Sequence, residues 1–188
     1  MPVTLPEDVV AIDTGSKSLL FYVTADGNSH NRLSYLESPD DSGTGDYRTK
    51  KILTALDKND DAQDIIVSSK NKQVAAVTWN GSEIRVYYVA DRTEHLREVC
   101  RGPDGQWRIG SLGYSDGNKV VVRANTSISA SVHTYGGGNY NLRVFAAEEG
   151  QINDDDLPQI SVYKFVHDET NKKARWAGQY ITNATKKY

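Results

Sequence analysis

Arg85 and Glu98 have the greatest capacity for chemistry in this chain. They lie in "EIRVYYVADRTEHLREVCRGPDGQWRIGSLG", residues 83 to 113, where Arg85 falls on one β-like run, Glu98 on the next, and Trp107 opens a third. Arg85 alternates with Ile84 and Val86, so it points away from those apolar neighbours. Glu98 alternates in the same way with Arg97 and Val99. If the two strands pair, guanidinium and carboxylate share a side and offer fixed donors and acceptors to neighbouring hydroxyl groups. An indole ring adds a flat partner for the apolar C–H face of a sugar. The trio has the chemistry of a shallow monosaccharide site, weak singly and dependent on avidity. The same residue types also make a plain cross-strand ion pair, which contributes about 0.2–1 kcal/mol.

The elements that must position these groups are strands. Helix-period segments are nearly absent, and short β-branched and aromatic runs alternate with Gly, Asn, Asp and Ser, which is an all-β pattern. The runs recur in three copies. Each opens with a short apolar strand: "VVAID" at 9–13, "QVAAVTW" at 73–79 and "SISASVH" at 127–133. An aromatic-rich strand follows: "LLFYV" at 19–23, "IRVYYV" at 84–89 and "LRVFAA" at 142–147. After a polar turn comes "RLSYL" at 32–36, "LREVC" at 96–100 or "SVYKF" at 161–165. An aromatic then leads a fourth strand: Tyr47, Trp107 and Trp176. A spacing of about sixty residues suits a four-stranded antiparallel unit with its loops. The repeats run from about 7–64, 65–119 and 120–188, within one domain over 1–188.

Four short antiparallel strands per unit, repeated, is the plan of a β-propeller blade. Three blades cannot close a ring, and an open half-ring would expose its terminal faces. The simplest remedy is a symmetric homodimer of two half-rings, giving six blades. The segments "VAAVTW", "IRVYYV", "LREV" and the W-x-x-G at 107–110 resemble the repeat of the fungal fucose-specific lectins, which form six-bladed propellers. The resemblance is strongest over residues 73–113 and weaker in the first and third copies.

The resemblance implies inter-blade sites, with Arg and Glu from one blade and an aromatic wall from the next. Between copies two and three it assigns Arg85 and Glu98 to the hydroxyls, Trp176 to the platform, and His167 to a place the family often fills with Tyr. Between copies one and two, Leu19 replaces the Arg and Tyr35 the Glu, opposite Trp107, so that site is expected to be dead. Between copy three and copy one of a second chain, Arg143 is kept, Lys164 replaces the Glu and Tyr47 replaces the Trp. Two cations there would repel and could not accept from hydroxyls. One competent site per chain is expected, recognising fucose or a related sugar without catalysis. The erosion of the other sites leaves an alternative open: a cofactor-independent cyclase acting on a polyketide or terpenoid, with Arg143 and Lys164 as electrophilic groups. Such catalysis needs little beyond positioning and hydrogen-bond donors.

Charge and composition narrow the partners. With 22 basic against 25 acidic residues, the chain lacks the basic excess of a nucleic-acid binder. No apolar run approaches a membrane span. Cys100 is the single cysteine, so no intrachain disulfide is possible. The opening "MPVTLPEDVV" shows no signal-peptide pattern, so the expected location is cytoplasmic, or secreted by another route. No cofactor or metal is expected. His30, His95, His133 and His167 have no paired ligand spacing. "DKNDDAQD" at 57–64 starts like a calcium loop, but Ala62 stands where a Gly is needed and Ser68 where the bidentate Glu belongs. "GGG" at 136–138 reads as a hairpin turn.

Overall fold

The computed structural model describes residues 6, 8–25, 30–114, 119–136, 138–153, 156–168 and 173–181, with the side chains at 48–50, 166–168 and 173 outside that set. Among the described residues there are strands and turns and no helix. None of the structure is therefore a helix long and apolar enough to cross a membrane.

Each of the three sheets contains an up-and-down run of four strands. The first run is β1 (Val9–Asp13), β2 (Ser18–Ala25), β3 (Asn31–Glu37) and β4 (Arg48–Ile52). A hairpin of β5 (Thr54–Leu56) and β6 (Ala62–Asp64) and the short β7 (Ile66–Val67) follow. The second run is β8 (Val74–Trp79), β9 (Glu83–Val89), β10 (Leu96–Arg101) and β11 (Trp107–Ile109). The third is β12 (Ser129–Tyr135), β13 (Asn139–Ile152), β14 (Pro158–Asp168) and β15 (Lys173–Tyr180). Neighbours within each run are antiparallel, and no sheet closes on itself. The glycines at 136 and 138 do lie in the turn that joins β12 to β13.

The same backbone device links successive sheets. β7 pairs with β3 through Asn31↔Val67, and Val67 also bridges Ala90 at the end of β9. One unit later, Val121 bridges His95 while Val122 bridges Glu148 of β13. Each connecting segment thus satisfies its N–H and C=O groups on two sheets at once, which fixes how the sheets sit against each other. The β5–β6 hairpin was not expected. It leaves the first sheet after Ile52 and joins the edge of the second through Leu56↔Arg108.

Two cores result. Leu19, Phe21, Val23, Leu33 and Tyr35 of the first sheet pack on Ile84, Val86, Tyr88 and Trp107 of the second. Tyr87, Val89, Ala75, Val77 and Trp79 on its other face pack on Leu142, Val144, Tyr163 and Trp176 of the third. The second sheet is covered on both faces, which is why β9 reads as an almost unbroken apolar run. Arg85 interrupts that run. The outward faces of the end sheets carry exposed side chains: Val9 is 50% exposed and Ile52 42% on the first, and Lys164 and Arg175 are exposed on the third.

Candidate functional site

β9 and β10 bring Arg85 and Glu98 together. In their register Tyr87 lies opposite Glu98 and Cys100 opposite Arg85, so the two charges are diagonal neighbours on one face. Arg85 Nε stands 3.6 Å from Glu98 Oε1. The guanidinium is fixed further by Glu83, whose Oε2 accepts from Nη1 at 3.1 Å, and by the Trp79 ring, 5.0 Å away. Burial works against the Glu98 charge and raises its pKa, while Arg85 and the backbone N–H groups of Leu112 and Ser111 pull the other way. The carboxylate is walled by Gly110, where any side chain would collide with it. Of the pair, Arg85 keeps the larger exposed edge, 15% against 4% for Glu98.

Trp176 reaches this face from the third sheet. Its ring meets Tyr87 edge-on at 6.1 Å and Phe165 at 5.3 Å. Its indole N–H donates to Ser111 Oγ at 3.1 Å, on the turn that also carries N–H groups to Glu98. Arg85, Glu98 and Trp176 therefore all lie at the interface of sheets two and three, with Tyr87 against Trp176, while Trp107 packs in the core on the opposite face of sheet two. Trp176 is largely buried and also lines a cavity of about 430 Å³ with Ser161, Tyr163 and Glu148. There the Tyr163 hydroxyl donates to Glu148 Oε2 at 3.1 Å. The backbone of His167 pairs with Tyr140 and Ala174, and its side chain lies outside the described residues.

The corresponding place between sheets one and two is hydrocarbon. Tyr35 occupies the position of Glu98, opposite Phe21, and Leu19 that of Arg85. Phe21, Tyr35 and Trp107 pack as a three-ring cluster with centroids 5.8–5.9 Å apart. In the third sheet the register departs from the sequence spacing. Arg143 lies directly opposite Lys164, so Val162, opposite Phe145, takes the place of Glu98. The longer β13–β14 hairpin sets this offset, because hairpin register follows the turn. Tyr47 precedes β4 and donates its hydroxyl to Gly43 O at 3.0 Å.

Trp79, Glu83, Tyr140 and Ser111 complete the surroundings of Arg85 and Trp176 and were not singled out from the sequence. The Trp79↔Glu83 pairing across the β8–β9 turn was the available signal for the first two. Cys100 has its thiol pKa raised by burial and lies 3.5 Å from Arg108 O, so it is a packed thiol and no activated nucleophile. Among the described residues no group of His, Cys, Asp and Glu could hold a metal ion. The acidic loop that starts at Asp57 spends its first carboxylate on the N–H groups of Asn59 and Asp61. Comparison with protein-family models, with curated proteins and with solved structures gives no match in any of the three.

Proposed function

We propose that the chain is a non-catalytic carbohydrate-binding protein that takes fucose or a related sugar between sheets two and three. On this reading each four-strand run is a propeller-type blade, and a second copy of the chain completes the ring. The observation that carries the reading is the Arg85–Glu98 pair, held 3.6 Å apart beside Trp176. Arg85 supplies hydrogen-bond donors, ionised Glu98 supplies acceptors, and the indole edge supplies apolar contact. Because Trp79, Glu83 and the Ser111–Leu112 turn fix these groups beforehand, little order is lost on binding. The resemblance of residues 73–113 to the fucose-specific lectin repeat points to the same sugar. The cyclase alternative has less support: Arg143 and Lys164 face outward from the third sheet, and Lys164 is exposed, where a carbonyl-polarising group would need a desolvated pocket.

The test is a glycan array on the wild type, Arg85→Met and Glu98→Gln. These near-isosteric changes are preferable to alanine, because removing one partner of a buried pair also destabilises the fold. Fucosylated glycans should bind the wild type and lose most of their signal in both variants. An empty array for the wild type, or unchanged signal in both variants, would remove the assignment.

A further inference from the structure

The end of the interface between sheets one and two holds a charged cluster that the fucose reading does not use. The β1–β2, β8–β9 and β10–β11 turns meet there around a cavity of about 230 Å³. Leu19 and Ile84, each 1% exposed, provide its apolar floor. Lys17, Glu37 and Arg101 provide its charged wall, with the Ser16 hydroxyl at the rim.

The charges do not cancel. Glu37 lies between Lys17 Nζ at 3.3 Å and Lys51 Nζ at 3.0 Å. Arg101 is close enough for its charge to act on Lys51. Two lysines therefore share one carboxylate, with Arg101 as a further cation lining the same cavity. Arg101 lies beside the Trp107 ring, 5.9 Å from its centroid, and has no carboxylate partner among the described residues. The two acids that flank its turn at Gly102 are committed elsewhere. Glu83 binds Arg85 at 3.1 Å, and Asp104 binds Arg108 at 2.6 Å. The surplus positive charge thus faces a built cleft with an apolar floor. Glu37, with a lysine on either side, remains an ionised acceptor.

We propose that this cavity binds an anionic monosaccharide. Its acidic group would pair with Arg101 and Lys17, and its hydroxyls would donate to Glu37. The proposal rests on the carbohydrate-binding reading and extends it to a second ligand class. A uronate carboxylate and a sulfate ester offer Arg101 the same chemistry.

Calorimetric titration of the full chain with galacturonate, galactose 6-sulfate, galactose and fucose tests it. At least one acidic sugar should bind about tenfold or more tighter than galactose, and the tighter of the two identifies the acidic group. Arg101→Gln should weaken that acidic sugar by about tenfold or more and leave fucose unchanged. Arg101→Lys, which keeps the charge, should retain part of the affinity, and Glu98→Gln should affect fucose alone. Acidic sugars that bind no better than galactose, or that ignore Arg101→Gln, overturn the proposal even if fucose binds. Acidic-sugar binding that depends on Arg101, in a chain that does not bind fucose, upholds it and removes the fucose site instead.

Discussion

Gly110 lies directly against the Glu98 carboxylate, with no room for even a methyl group between them. The contact follows from the strand pairing, since Gly110 N–H donates to Glu98 O at 2.9 Å and holds the turn over the side chain. Gly110→Ala must push the carboxylate from Arg85 or open the turn. Overpacking of this kind costs about 1–3 kcal/mol. The melting temperature should fall by about 2–4 °C for each kcal/mol lost in a chain of this size. An unchanged melting curve would mean that the carboxylate is not confined as described.

The pair also gives stability a pH dependence of unusual sign. Burial raises the Glu98 carboxyl above its ordinary value of 4.5, in spite of Arg85. A raised carboxyl holds its proton more tightly folded than unfolded. Its contribution is complete below pH 4.5 and is lost as the pH rises through the folded value. The wild type should therefore lose stability relative to Glu98→Gln as the pH rises above 4.5. Urea unfolding of both proteins over that rise decides the claim. Parallel pH profiles would contradict it.

Trp107 opens β11, whereas Trp176 lies inside the equivalent strand β15, and the two differ at one atom. The Trp176 N–H donates to Ser111 Oγ, while the Trp107 N–H is buried without a partner among the described residues. Replacement by Phe deletes similar volume at each. Trp176→Phe should cost about 0.5–1.5 kcal/mol more than Trp107→Phe, because it also breaks a hydrogen bond. Chemical denaturation of the two variants measures the difference. Equal losses would show that the Ser111 bond contributes nothing net.

Much of this architecture is legible in the sequence, for a physical reason. Apolar alternation in "VVAID" or "RLSYL" reports a half-buried strand directly, and Arg85 within "IRVYYV" is conspicuous because a charge in a doubly covered strand demands a partner. The β5–β6 hairpin is not legible: "TAL" and "AQD" are short, and Ala62, Gln63 and Asp64 are all exposed. The offset that puts Val162 in the place of Glu98 is also hidden, since it depends on turn geometry between β13 and β14. Trp79, Glu83 and Tyr140 gather around Arg85 through hairpin register and sheet-on-sheet packing. Local spacing reports neither.

The outward faces of the end sheets make the last prediction. On the first sheet, exposed Val9 and Ile52 share the outward face with the partly buried Leu20 and Leu36. On the third, Phe145 pairs with Val162 and Ala147 with Ile160, beside Arg143 and Lys164. These two faces differ, so a pair of chains related by a two-fold axis can place the third sheet of each on the first sheet of the other and leave no end exposed. Light scattering should then give about 42 kDa, twice the chain mass of 20.8 kDa. Ile52→Asp changes a side chain that is 42% exposed in the single chain, so it should split the dimer without disturbing the fold. Val162→Asp, on the opposing face, should do the same. A wild type that scatters as a single chain at micromolar concentration would refute the pairing, and so would Ile52→Asp and Val162→Asp variants that both keep the doubled mass.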